Sequence, residues 1–256
     1  MNNSLNILNR QIIKCTKCNR LVKFRKKIAK EKRKRFIHET YWAKPITGYG
    51  DYKAQLLLVG LAPAAHGGTR TGRVFTGDKS AEFLFRCLFK SKLSNQPTSE
   101  YKNDGLILYN TYLTPALKCA PPQDKPTNRE LKNCFNFFKE EISLLGNIKI
   151  IVALGKIAFD ACLKFYKENY SLKNKYYVFG HGTQYALPDK KILVGCYHPS
   201  PRNVNTKRLD EKKMVFLFEQ VKELLNLIKI VYLLFRQYLL MTLYIGPSLV
   251  RIDSFK

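Results

Sequence analysis

The chain has 256 residues, 45% of them apolar, which allows one sizeable core with at most a small extra element beside it. Its 45 Lys and Arg against 19 Asp and Glu leave a net charge of +26. Counterion release makes such a chain cling to polyanions, so a nucleic-acid partner is expected and a carrier that only exchanges electrons has little use for the charge. The seven cysteines are odd in number, and the N-terminus lacks the basic-then-apolar pattern of an export signal. A secreted disulfide scaffold is therefore not expected, and the chain reads as intracellular and reduced, with clustered cysteines taken first as metal ligands.

In chain order, Cys15 and Cys18 come first, as a C-x-x-C pair. Between Lys14 and Arg35, twelve Lys or Arg residues face one acid, Glu31. The run IAKEKRKRFI at its end has no amphipathic stripe and reads as a solvated basic helix or arm suited to phosphate. Apolar runs at Gln55–Leu61, Gly105–Tyr109, Ile148–Leu154 and Lys191–Tyr197 read as buried strands. Helical spacing occupies Ser80–Leu93, Arg129–Leu145 and Lys156–Tyr166. This alternation predicts a three-layer α/β/α sandwich around a central, mostly parallel four-stranded sheet, with ligands bound at the carboxyl ends of the strands. From about Glu219 to Ile245 the sequence is strongly apolar but broken by Lys222, Glu223, Lys229 and Arg236, and no uninterrupted run reaches a membrane-spanning length. The expected division is one main domain over 1–220 and an apolar extension of unknown role over 221–256.

Cys119 and Cys134 follow the second predicted strand and, with Cys15 and Cys18, make a tetrathiolate set crowded by basic residues. Spacing alone is compatible with zinc or with an iron–sulfur cluster. Cys87, Cys162 and Cys196 sit inside apolar helix or strand patterns and read as small core residues.

The predicted strand-tip loops read GLAPAAHGGTR, NTYLTPALKCAPP, LGK and HPSPRN. Val59–Asp78 (VGLAPAAHGGTRTGRVFTGD), Lys118–Pro126 (KCAPPQDKP) and Tyr197–Asn203 (YHPSPRN), with TGYGD at Thr47–Asp51 and FGHG at Phe179–Gly182, resemble the family 5 uracil-DNA glycosylases. The resemblance runs from Cys15 to about Leu209. It implies the uracil-DNA glycosylase fold, a structural 4Fe-4S cluster on the four cysteines, and hydrolysis of the bond between a damaged base and deoxyribose.

On that resemblance, Asp78, His198 and Asp124 are the expected catalytic residues. Gly60, Ala62, Phe75 and Asn110 would hold the base, while His66, Arg70, Ser200, Arg202, Arg208 and Leu209 would hold DNA. A glycosylase must extrude its target nucleotide, stack the base and stabilise a cationic sugar beside a departing anion. Phe75 is suited to stacking and His198 to donating a hydrogen bond to uracil O2. Leu209 or Arg208 would fill the vacated stack. Asp78 stands either as the carboxylate beside the sugar or as the N-cap of the helix that follows.

Gly60–Pro63 reads GLAP, without the carboxylate or amide that related glycosylases carry there. Pro115 occupies a position where a related family has an Asn that reads the pyrimidine, and Asp124 one where the family pattern commonly shows Asn. A pocket poor in base-edge contacts should discriminate poorly, in keeping with the broad range that the resemblance implies: uracil, hypoxanthine, xanthine or other modified bases. The resemblance implies a cytoplasmic, nucleoid-associated bacterial or archaeal enzyme acting on DNA as a monomer. The competing reading is a non-catalytic nucleic-acid-binding protein whose metal site merely holds the basic arm.

Overall fold

A computed structural model of the protein describes residues 3–170, 172 and 176–245. Helix α1 (Asn3–Lys14) buries Leu5, Leu8 and Ile12, one stripe at helical spacing. Cys18 immediately precedes α2 (Asn19–Glu31), whose basic sequence buries only Leu21 and Arg25. Then come β1 (Tyr49–Gly50), β2 (Leu56–Gly60), the short α3 (Gly68–Thr71), α4 (Lys79–Lys90), β3 (Thr111–Pro115) and α5 (Asn128–Leu144). The chain continues through β4 (Ile150–Leu154), α6 (Lys156–Asn169), β5 (Gln184–Ala186), β6 (Ile192–Cys196), α7 (Pro201–Asn205) and α8 (Glu211–Ile245).

The sheet runs β1-β3-β2-β4-β6-β5. Its four inner strands are parallel, and antiparallel β1 and β5 close the edges. Period-two alternation sorts the strand residues between the faces. Leu57, Val59, Ile151, Ala153 and Leu193 form one core with residues of α1, α5 and α6. Leu56, Leu58, Ile150, Val152 and Val194 are equally buried on the other face. On α4, which buries Phe83, Leu84, Phe85, Cys87 and Leu88, Cys87 faces β6; burial pushes the Cys196 thiol pKa up, and the nearby Cys87 adds to the rise. The sandwich expected from the sequence is thus the architecture, widened by two edge strands.

Three of the four predicted strands are present. The strand predicted at Gly105–Tyr109 is not a sheet member. Leu108 makes only an isolated bridge to Ser94, and Ile107 and Tyr109 are exposed. The real strand is the next segment, Thr111–Pro115, whose polar residues hide it from a hydrophobicity reading. Thr111 donates to the Tyr109 carbonyl at 2.8 Å, and Tyr112 and Thr114 are answered by Glu141 of α5 behind them. Glu141 accepts from Tyr112 Oη at 3.1 Å and Gly48 N at 3.2 Å. It also accepts from Thr114 Oγ1 at 2.6 Å and Lys118 Nζ at 2.5 Å.

By contacts the chain divides into Met1–Phe218 and Glu219–Lys256. The second unit is helical through Ile245, with an ion pair between Lys222 and Glu219 at 3.0 Å. The last eleven residues of the predicted extension, 246–256, lie outside the described residues. Among the described residues, no helix is long and apolar enough to cross a membrane.

Candidate active site and cysteine centre

Parallel strands deliver the loops that follow them to the same end of the sheet, and here three loops converge. The loop after β2 supplies Leu61, Ala62 and Ala64, and that after β3 supplies Pro121 and Asp124. His198, Ser200 and Pro201 follow β6. With Phe75, Asp78 and Ser80 they line a pocket of about 300 Å³. Six residues singled out in the sequence therefore meet: Ala62, Phe75, Asp78, Asp124, His198 and Ser200.

Phe75 sits at a φ of 48°, a left-handed conformation that bulky residues rarely adopt and that marks stored strain at a site. Its ring lies 5.9 Å from that of His198, tilted by 34°. Gly60 permits this placement, because a Cβ there would come within 2.6 Å of the Phe75 ring. Gly67 plays the same part for Asp78, since its Cβ would meet Asp78 Oδ2 at 2.0 Å.

Asp78 caps the helix that follows it and also faces the pocket. Its Oδ1 accepts from Ser80 N at 2.9 Å and Ala81 N at 3.0 Å, capping α4, while the residue lines the pocket. Burial pushes its carboxyl above the usual range, against the pull of the Ala81 and Ser80 amides and Arg70, and the nearby Asp124 charge adds to the rise. Asp124, exposed at a φ of 56°, occupies a backbone region that Asp and Asn tolerate better than most residues. Burial pushes the His198 imidazole down to about 4, so at neutral pH it is uncharged. Its backbone carbonyl accepts from Ser200 N and Asn203 Nδ2, both at 2.8 Å, which fixes the loop.

Three expected site residues are misplaced by the sequence reading. Asn110 does not hold the base: it precedes β3, at the amino end of the strands, and bonds Gln55 instead, accepting from its backbone amide at 2.8 Å. The error follows from the displaced strand, which turned a strand start into a strand-tip loop. Arg70 is not free for phosphate. It is buried, ion-paired with Glu39, donates to His66 O at 2.9 Å and Gly77 O at 3.2 Å, and lies over the Phe36 ring. Leu209 is 0% exposed, packed into the fold rather than presented at the surface to a base stack. Its neighbour Arg208 is exposed, with its guanidinium 4.3 Å from the Tyr197 ring centroid. Arg202 is exposed on α7, and Ser200 caps that helix through Asn203 N at 3.3 Å. His66 Nδ1 pairs with Tyr41 Oη at 3.0 Å; burial, then Arg33, Arg35 and Arg70, hold its imidazole below its ordinary pKa.

A second constellation lies around α2. Cys15, Cys18, Cys119 and Cys134 line one small cavity with Leu21, Arg25 and Leu117. Among the described residues, no group of three or more His, Cys, Asp or Glu is drawn together tightly enough to hold a metal ion as it stands. The donor chemistry nonetheless fits a thiolate-bound group. Cys119 Sγ accepts from Arg25 Nη1 at 3.1 Å, Cys134 Sγ from Lys118 N at 3.2 Å, and Cys18 Sγ from Asn133 Nδ2 at 3.6 Å. As thiols, burial holds Cys119 up to about 11 and Cys134 up to about 12, so they would ionise at neutral pH only on binding a metal centre.

Sequence reasoning missed the buried Lys118–Glu141 pair and the inward turn of Arg25. The available signals were Glu141 at helical spacing from Cys134 and Phe138 on α5, and Leu21 and Arg25 three and seven residues beyond Cys18, hence on one face of α2.

The Uracil DNA glycosylase superfamily model matches residues 47–222. The chain is 42% identical over 213 residues to the Type-5 uracil-DNA glycosylase of Thermus thermophilus, covering 83% of this chain and 94% of that protein. It is 41% identical over 199 residues to that of Pyrobaculum aerophilum, covering 78% and 84% respectively. A Type-4 uracil-DNA glycosylase from Archaeoglobus fulgidus is 24% identical over 199 residues, 77% of this chain and 82% of that protein.

Proposed function

The chain belongs to the uracil-DNA glycosylase superfamily, and from that premise we propose how its strand-tip pocket works and which bases it accepts. The protein is a DNA base-excision repair hydrolase that cleaves the N-glycosidic bond of uracil. The observation that carries the residue-level reading is the convergence of Phe75, Asp78, Asp124 and His198 on one pocket.

In this reading the target nucleotide swings out of the helix and its base enters the pocket, where the Phe75 ring stacks on it. The uncharged His198 donates an N–H to uracil O2 as negative charge builds on the departing base. Asp78, with Oδ1 committed to the helix cap, turns its other oxygen toward the sugar, stabilising the cation and orienting water. Asp124 faces the same space and assists in positioning that water. Ser200, Arg202 and Arg208 hold the flanking phosphates, and the exposed side chains of α2 add sequence-independent attraction. Arg208 is the residue that fills the gap left in the stack.

No Asn or Gln lines the pocket among the described residues. A bidentate amide that would tie the site to the uracil edge is therefore missing, and hypoxanthine and xanthine are accepted beside uracil. A 4Fe-4S cluster held by Cys15, Cys18, Cys119 and Cys134 would supply a cross-link between the N-terminal segment and the loop after β3. The enzyme works as a monomer in the cytoplasm, on nucleoid DNA.

Single-turnover profiling on duplexes containing uracil, hypoxanthine or xanthine tests this reading. Abasic product from all three is expected, while release of uracil alone would overturn the permissive pocket.

A further inference from the structure

Four cationic side chains of the described residues are buried: Arg25, Arg70, Arg73 and Lys118. Three have a carboxylate, Arg70 with Glu39, Arg73 with Asp104 at 2.7 Å and Lys118 with Glu141 at 2.5 Å. Arg25 has none among the described residues. It is 6% exposed, and its guanidinium reaches Cys119 Sγ at 3.1 Å and the Cys15 carbonyl at 3.2 Å, while its Nε has no partner.

A buried, uncompensated cation is strongly unfavourable, so a fold that retains one brings negative charge to it. The cavity beside Arg25 is lined by four cysteines and no carboxylate. Four thiolates around a divalent ion, or around an iron–sulfur core, carry net negative charge. Arg25 also joins the two halves of the ligand set, because Cys15 lies in the N-terminal segment and Cys119 in the loop after β3.

We propose that Arg25 is the counter-charge and positioning residue of a tetrathiolate metal centre, gripping Cys15 and Cys119 together and setting the potential of the bound group. This rests on the metal reading of the four cysteines. It separates Arg25 from the rest of the basic stretch, whose exposed members face solvent and phosphate. A positive charge and an N–H donor at a ligand sulfur favour the more negative, reduced state, so their removal lowers the reduction potential.

The test compares the full-length wild type with Arg25→Gln and Arg25→Lys, purified without oxygen, by metal and sulfide content, midpoint potential and rate of metal release to a chelator. The Gln variant is expected to release metal about 10- to 100-fold faster and, if the metal is iron, to shift its midpoint to more negative potential. Lysine keeps the charge but cannot span both contacts, so it is expected to hold the wild-type potential while releasing metal faster than wild type. Should the Gln chain fail to fold, a Lys variant that releases metal at the wild-type rate overturns the bridging role. Wild-type release rate in the Gln variant overturns the proposal outright, as does an unchanged potential in an iron-loaded one. A zinc-loaded wild type leaves the release rate as the deciding readout. A wild type that binds neither metal defeats the metal reading itself, and with it this proposal.

Discussion

Two polar constellations sit on the same sheet and differ in what is left open. Behind β3, Glu141 accepts four hydrogen bonds and is buried with Lys118, each partner's polar atoms answered from within the fold. At the strand tips, Asp78 gives only Oδ1 to the helix cap, and the His198 ring makes no hydrogen bond among the described residues. Satisfied polar groups specify and hold a structure; groups kept short of partners beside a pocket await a substrate. Mutations in the first constellation should therefore act on folding, and those in the second on catalysis.

The sharpest way to break this contrast is Glu141→Ala, which leaves the Lys118 ammonium buried without a carboxylate, with only the Thr114 hydroxyl to accept from it. A loss of about 3–5 kcal/mol is expected in denaturant unfolding. A fully stable variant would dissolve the distinction.

His198→Ala should do the reverse. Single-turnover uracil release should fall about 10²–10³-fold, as for removal of one donor to a developing anion, with the melting temperature and DNA affinity nearly unchanged. Because burial holds this imidazole down to about 4, from an ordinary 6.5, the folded state resists protonation. Stability is therefore lost as pH falls through that window, and the Ala variant should lose less of it.

Asp78→Asn keeps an N-cap, since Asn caps as well as Asp, so stability should not fall. Burial raises the Asp78 pKa, so its ionised form costs the fold stability as pH rises through that value; removing the charge is neutral or mildly stabilising near pH 7. The rate should fall on the order of 10²-fold, and the acid limb of the wild-type profile, beginning above the ordinary carboxylate range, should vanish. A retained limb would assign it to another group. The smallest effect is expected from Arg208→Ala, with weaker binding to all sequences and a salt slope reduced by about one charge in affinity titrations.

The contrast also explains what the sequence made legible. Apolar runs revealed β2, β4 and β6, because burial on both faces leaves long Leu, Ile and Val strings, and helical spacing revealed α4, α5 and α6. The strand Thr111–Pro115 was hidden by the Glu141 constellation, which lets a buried strand be rich in Thr and Tyr. That displacement carried Asn110 with it. Pocket residues were legible because special chemistry clusters in Gly- and Pro-rich loops. Arg70, Leu209 and Arg25 were not, since the direction in which a side chain turns depends on partners such as Glu39 and the Cys119 sulfur, far away in the chain. The two-residue β1 and three-residue β5 are too short for any periodicity to register.

The central claim is tested most directly by incubating the full-length, metal-loaded chain with a uracil-containing duplex under single-turnover conditions and scoring alkali-labile abasic sites, beside Asp78→Asn. The account predicts complete conversion by the wild type and a large loss in the variant at unchanged melting temperature. Absence of abasic sites with the folded wild type, or equal rates in both proteins, would contradict it.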